Sequence, residues 1–132
     1  MYLLDTNVFS CFFAGDTALT PETPSLVERH VRGRGRQLDL ALLPIGHAPA
    51  WKPGFRKGHL TSADALTLFE QLDARYLIPY HWGTFNHVTS TAFDAIKRLR
   101  DQVDTHHRKS DVKILEPGMS YVVESAAGNR SL

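Results

Sequence analysis

The sequence predicts an α/β fold, on three observations. Short apolar runs with little alternation, suited to strands buried on both faces, recur at residues 1–5, 8–14, 38–43 and 76–80. Segments with apolar residues at helical spacing separate the later runs, and strands alternating with helices bury their apolar surface by layering helices over a sheet. The composition agrees: 132 residues, 42% hydrophobic and 22% charged, make one ordinary globular domain. It excludes a disordered acidic chain, a collagen-like repeat and a disulfide-stapled miniprotein.

Residues 1–5 and 8–14 read as a hairpin or two short strands divided by Thr6-Asn7. Gly15-Asp16-Thr17 breaks the pattern. The turn-rich stretch 20–24 leads into a short helix over 25–31, with Leu26, Val27 and Val31 as its apolar stripe and Ser25 or Thr23 as its cap. Arg32-Gly33-Arg34-Gly35-Arg36 is a loop. Residues 38–43, interrupted only by Asp39, form a central strand that Pro44 and Gly46 end. Residues 48–58 carry prolines, glycines, Trp51 and Phe55 in a long irregular segment, a kind that is often functional.

Thr61-Ser62-Ala63-Asp64 is close to a capping box. Ala65, Leu68, Phe69 and Leu72 follow at i, i+3, i+4 and i+7, so an amphipathic helix runs to about Asp73. Residues 76–80 make a short strand whose ladder Pro79 limits, and the loop His81-Trp82-Gly83-Thr84-Phe85 follows. A third helix spans 91–103 with Phe93, Ile96, Leu99 and Val103 inward, and strands at 112–115 and 119–123 flank Glu116-Pro117-Gly118. Residues 1–124 read as one unit and 125–132 as a disordered tail.

Charge and targeting signals narrow the function classes. The net charge is +1, so the chain is no polyelectrolyte, although Arg29, Arg32, Arg34 and Arg36 cluster. No aromatic residue interleaves with those arginines, so they read as a solvated loop and no nucleic-acid partner is expected. No apolar run is long enough to span a membrane, and the opening residues lack the basic region of a signal peptide. The single cysteine, Cys11, reads as a small buried hydrophobe and fits a reducing, cytoplasmic setting. Phosphate-cradling and nucleophile-elbow motifs are absent.

Ligands of open α/β sheets bind outside the carboxyl ends of strands, and chemistry-bearing residues stand there. Asp16 follows a glycine that lets the backbone turn, and its carboxylate serves a metal, a sugar or a backbone N–H, or simply caps the turn. His81 ends a strand beside an aromatic residue, either as a metal ligand or as a histidine satisfied by a carbonyl. His59, next to Lys57-Gly58, contacts an anionic substrate or is solvated. The remaining histidines show no ligand spacing on one element, and His106-His107 reads as solvated.

Four blocks carry a resemblance. They are Phe13-Ala14-Gly15-Asp16-Thr17, the stretch Leu38-Asp39-Leu40-Ala41-Leu42-Leu43-Pro44-Ile45-Gly46, His59 ahead of Thr61-Ser62-Ala63-Asp64-Ala65, and Ile78-Pro79-Tyr80-His81-Trp82-Gly83-Thr84-Phe85. In this order they resemble the C-terminal half of a metallo-β-lactamase-fold, zinc-dependent hydrolase, of the branch similar to N-acylphosphatidylethanolamine-hydrolysing phospholipase D. The resemblance implies one βα-layered half of an αββα sandwich. It implies that Asp16 bridges two zinc ions, that His81 completes the second ion's ligands, and that His59 is the catalytic helper on the substrate side. Trp51 and Phe55 would shape an apolar substrate entrance.

The family's His-x-His-x-Asp-His signature is absent, so the chain alone lacks a complete site. The resemblance therefore implies a phosphodiesterase or phospholipase D-like hydrolase present as a C-terminal portion. Its partners would be a small-molecule or phospholipid substrate and either a missing N-terminal half or a second copy. Peripheral membrane association is compatible with it. The alternative is an inert fragment or a partner-binding module that uses its exposed sheet.

Overall fold

Leucine and aromatic residues concentrate in four short runs, and these pair into one mixed sheet in the computed structural model, which describes residues 1–5, 9–46, 58–86 and 90–124. The strands are β1 (Tyr2–Asp5), β2 (Ser10–Phe13), β3 (Leu40–Pro44) and β4 (Tyr76–Tyr80), and they lie side by side in that order. The first pair is antiparallel, with Tyr2 opposite Phe13; β2, β3 and β4 run parallel, with Phe13 opposite Leu42 and Leu42 opposite Ile78. Helices α1 (Glu22–His30) and α2 (Ser62–Leu72) supply the crossovers between parallel strands, and α3 (Asp94–Asp104) follows β4. The α/β class read from the sequence is the class observed.

Side-chain alternation decides which face the helices cover. Phe12, Ala41, Leu43 and Leu77 point to one face and are buried. They share a core with Val27 of α1, Leu68, Phe69 and Leu72 of α2, and Ile96 and Leu99 of α3. The opposite face carries Tyr2, Leu4, Cys11, Phe13, Leu42, Ile78 and Tyr80. Tyr2 is 75% and Leu4 57% exposed, and the Phe13 ring stacks on Tyr80 at 5.1 Å between centroids. Cys11 is therefore half-buried on this outer face rather than inside the core, and burial still pushes its thiol pKa up.

Local chemistry sets the helix ends. Thr61 and Asp64 form the full reciprocal cap: the Thr61 hydroxyl accepts from the Asp64 N–H and the Asp64 carboxylate accepts from the Thr61 N–H, both at 3.1 Å. Helix α1 begins at Glu22, three residues before the expected start, and no side chain caps it. Pro24 sits in its first turn, where a missing N–H costs nothing, so the proline does not delay the helix. Ser25 instead donates its hydroxyl to the Pro21 carbonyl at 3.0 Å. Helix α3 begins later than expected, because Thr91 is held in a turn by the Asp94 carboxylate. Phe93 is left 59% exposed instead of inward.

The expected strands at 112–115 and 119–123 do not form. Val112 makes one isolated parallel bridge to Leu77, and Lys113 donates its N–H to the Leu77 carbonyl at 2.8 Å. The chain then turns between Glu116 and Met119, and Tyr121 meets Tyr76 edge-on at 5.6 Å, a side-chain contact in place of a ladder. At the amino ends of the parallel strands, buried Asp39 accepts from the Ser10 N–H at 2.9 Å and from Arg75 at 3.0 Å. Among the described residues no helix is long and apolar enough to cross a membrane.

Candidate functional site

Strands β2, β3 and β4 are parallel, so the residues that follow them leave the sheet at one end. After β2 the chain turns at Gly15, whose φ of +65° is a conformation glycine takes without strain, and presents Asp16. After β4, His81 itself adopts φ +65°, an uncommon value for a residue with a side chain. Asp16 Oδ1 lies 3.6 Å from His81 Nδ1. Both side chains face solvent, at 69% and 50% exposure, so the attraction between them is screened.

His59, two residues ahead of the α2 cap, comes to the same place from a different element. It lines a cleft of about 320 Å³ together with His81, Gly46, Trp82, Phe85 and Ala95. Trp82 is half-buried against the core, donates its indole N–H to the Pro79 carbonyl at 3.4 Å and meets Phe93 edge-on. Phe85 stands at the mouth, 78% exposed. Burial, and next the Asp16 carboxylate, push the Tyr80 phenol pKa up, while the Gly15 backbone N–H acts the other way. The structure thus brings the three residues singled out from the sequence to one end of the sheet. Trp51 and Phe55, expected at a substrate entrance, lie outside the described residues, as do His47 and His87.

Sequence reasoning missed part of this cleft. Thr91 and Ala92, in the turn before α3, and Ala95, in its first turn, line it, and nothing in their local pattern announces that placement. Gly46 was read only as a strand terminator.

A second group of ligand-type side chains sits away from the cleft. His106 is not solvated as expected, being 14% exposed with its Nε2 3.0 Å from Glu70 Oε1; His107 Nδ1 lies 3.6 Å from the same oxygen. The nitrogen and oxygen atoms of this trio lie within 4.8 Å of one another, close enough to suggest a metal. One hydrogen bond argues otherwise: the Arg108 backbone N–H donates to His106 Nδ1 at 3.1 Å. Nδ1 must then be the bare nitrogen, so Nε2 carries the proton and donates it to Glu70. A metal on Nε2 would force a proton onto Nδ1, facing another donor. The His106–Glu70 pair is an anchor beside Arg108, whose guanidinium donates to the Ala74 carbonyl at 2.6 Å.

Comparison with known proteins bears on the family and the fold. The chain is 34% identical over 117 residues to a UPF0173 metal-dependent hydrolase of Heliobacterium modesticaldum, covering 89% of this chain and 42% of the relative. It is 36% identical over 75 residues to the mitochondrial N-acyl-phosphatidylethanolamine-hydrolyzing phospholipase D of Saccharomyces cerevisiae, covering 56% of this chain and 15% of that protein. The chain thus spans well under half the length of the curated relatives it matches. Among solved structures, the metallo-beta-lactamase fold protein YhfI from Bacillus subtilis superposes with a TM-score of 0.52 at 17% identity, over 82% of this chain and 37% of that one. Residues 1–82 match the family described as Beta-lactamase superfamily domain. With more than half of its length in that match and the fold shared, the chain belongs to the metallo-β-lactamase superfamily.

Proposed function

We propose that this chain carries part of the active centre of a metal-dependent hydrolase, with zinc as the metal and a phosphodiester, as in phospholipase D-like chemistry, as the substrate. In this reading Asp16 and His81 would hold the metal, and His59 would be the catalytic group on the substrate side. The observation that carries the reading is the 3.6 Å approach of Asp16 Oδ1 to His81 Nδ1 beyond the parallel strands. Two ligands bonded to one zinc ion at about 2.0–2.1 Å lie roughly 3.3 Å apart, so the pair fits a common ion after a small movement. Carboxylate oxygen and imidazole nitrogen are donors that zinc accepts. The names of the relatives support metal-dependent hydrolysis and, more narrowly, the phosphodiester class.

When bound, such a metal supplies a water acidic enough to attack as hydroxide near neutral pH. The chain's own residues do the rest. Asp16 contributes the negative charge that keeps cations at the sheet end. His59 and His81 border the cleft, and the His59 imidazole holds or moves a proton on the substrate side. Trp82 and Phe85 keep water from the apolar wall. Two protein ligands fall short of the three or four that zinc normally takes, so the others come from a complementary segment, either the part of the relatives that this chain does not span or a second copy. A cytoplasmic setting, with peripheral membrane contact where the substrate is a phospholipid, belongs to the same reading.

Native mass spectrometry in zinc, on the chain together with the complementary segment that completes the ligand set, tests the ligands. The expected result is bound zinc that is lost in Asp16→Ala and in His81→Ala and kept in His59→Ala. Zinc held equally by all three variants would overturn the assignment. One observation favours a second reading, a partner-binding module without its own chemistry: the outer face with Tyr2 and Leu4 largely exposed. A chain that stays metal-free yet binds a partner through that face would favour it.

A further inference from the structure

We infer that Gly46 is the positioning residue that seats His81, an inference that rests on the reading of His81 as a metal ligand. The register of β3 and β4 leads to it. Pro44 lies opposite Tyr80, and the Ile45 N–H donates to the Tyr80 carbonyl at 3.0 Å. The next residues out, Gly46 and His81, therefore leave the sheet side by side. His81 takes φ +65° at that point, which turns its carbonyl and its ring back over Gly46.

The contact is close. A Cβ on Gly46 would stand 2.7 Å from His81 Nδ1, 2.7 Å from the His81 carbonyl oxygen and 3.2 Å from the ring carbon Cγ. Non-bonded heavy atoms settle at roughly 3.5 Å or more, so no side chain fits while His81 keeps its place. Unlike Gly15, Gly35 and Gly83, Gly46 does not have a positive φ. Its glycine is required by its neighbour and not by its own backbone.

The atom that this bare backbone supports is functional. Nδ1 of His81 is the nitrogen that faces Asp16 at 3.6 Å. The His81 side chain is half exposed and would otherwise sample several rotamers; the Gly46 backbone forms the floor on which its ring rests. A methyl group at position 46 fills the space beside Nδ1 and pushes the ring away from Asp16. Gly46 touches no metal in this scheme and acts through His81.

The test compares Gly46→Ala with Gly33→Ala in the full chain. A Cβ on Gly33 also crowds a backbone oxygen, that of Glu28 at 3.0 Å, but far from His81 in the sequence and outside the cleft, so it controls for steric strain as such. Two quantities are read: the ring nitrogen resonances of His81 in the metal-free chain, and zinc affinity by titration calorimetry in the presence of the complementary half. Gly46→Ala is expected to shift the His81 ring resonances and to weaken zinc binding about 10- to 100-fold, the range for groups that orient a ligand without touching the metal. Gly33→Ala is expected to change neither. The pair Gly46→Ala with His81→Gly removes the ring and relaxes the backbone at 81, and should regain melting temperature lost by Gly46→Ala alone.

Unchanged His81 resonances in Gly46→Ala would overturn the inference, as would the same loss of melting temperature whether or not His81 is present. Wild-type chain that binds no zinc in the presence of its complementary half, with His81 resonances still displaced by Gly46→Ala, would sink the metal reading and leave the seating of His81 standing.

Discussion

Asp39 shows what one carboxylate does once it leaves water. It is 4% exposed, and it accepts from the Ser10 N–H, the Ser10 hydroxyl and Arg75. Arg75 also donates to the Glu124 carbonyl at 2.8 Å, so the Asp39–Arg75 pair ties the start of β2 to the C-terminal segment. Arg75→Met should cost about 3–5 kcal/mol in urea unfolding, because it strands a buried charge. Cys11 gives a milder, pH-linked effect. Burial raises its thiol pKa in the folded chain, so its contribution to stability is complete below the unfolded value near about 8.5 and is lost as pH rises through the folded value. Stability that falls less steeply with alkali in Cys11→Ala, followed by thermal melts across that window, is the expected outcome.

Elements differ in how far the sequence alone gives them away. Helix α2 was readable because Thr61, Asp64 and the Ala65, Leu68, Phe69, Leu72 stripe agree, and the cap and burial both appear where expected. Thr61→Ala should therefore cost about 1 kcal/mol, and Leu68→Ala about 2–5 kcal/mol, in the same denaturation assay. Strand β4 also matches its expected span. Helix α1 was misjudged at its start because Pro24 reads as a breaker, whereas a first-turn proline gives up no hydrogen bond. The C-terminal apolar runs look like strands, yet among the described residues they meet the sheet backbone at Leu77 alone, through Val112 and Lys113. The candidate residues Asp16, His59 and His81 could be named from the sequence, but their meeting depends on parallel crossovers that no local spacing encodes. Gly46 carries no signal of its own at all, since its requirement comes from a residue delivered by another strand.

At the scale of the whole molecule, one sheet has helices on one face and apolar side chains open on the other. Strand β1 is an edge of the sheet whose backbone groups on the far side from β2 have no strand partner among the described residues. Exposed apolar patches of this kind favour association, so the isolated chain should sediment as more than a monomer at micromolar concentration. Tyr2→Lys together with Leu4→Glu, which changes only side chains on that face, should shift the sedimentation profile toward monomer. No shift would place the contact elsewhere. The order of the strands has a kinetic consequence as well. No parallel rung forms until the chain has closed the distance from Phe13 to Leu40, and then from Pro44 to Tyr76. Helix α2, with its local cap, pays no such loop-closure penalty. During refolding, far-ultraviolet signal from helices should recover ahead of the tyrosine signal, to which Tyr76 and Tyr80 in β4 contribute two of the four tyrosines. In that interval the outer face lacks its strand neighbours, so the yield of native chain should fall as the concentration in the refolding mixture is raised.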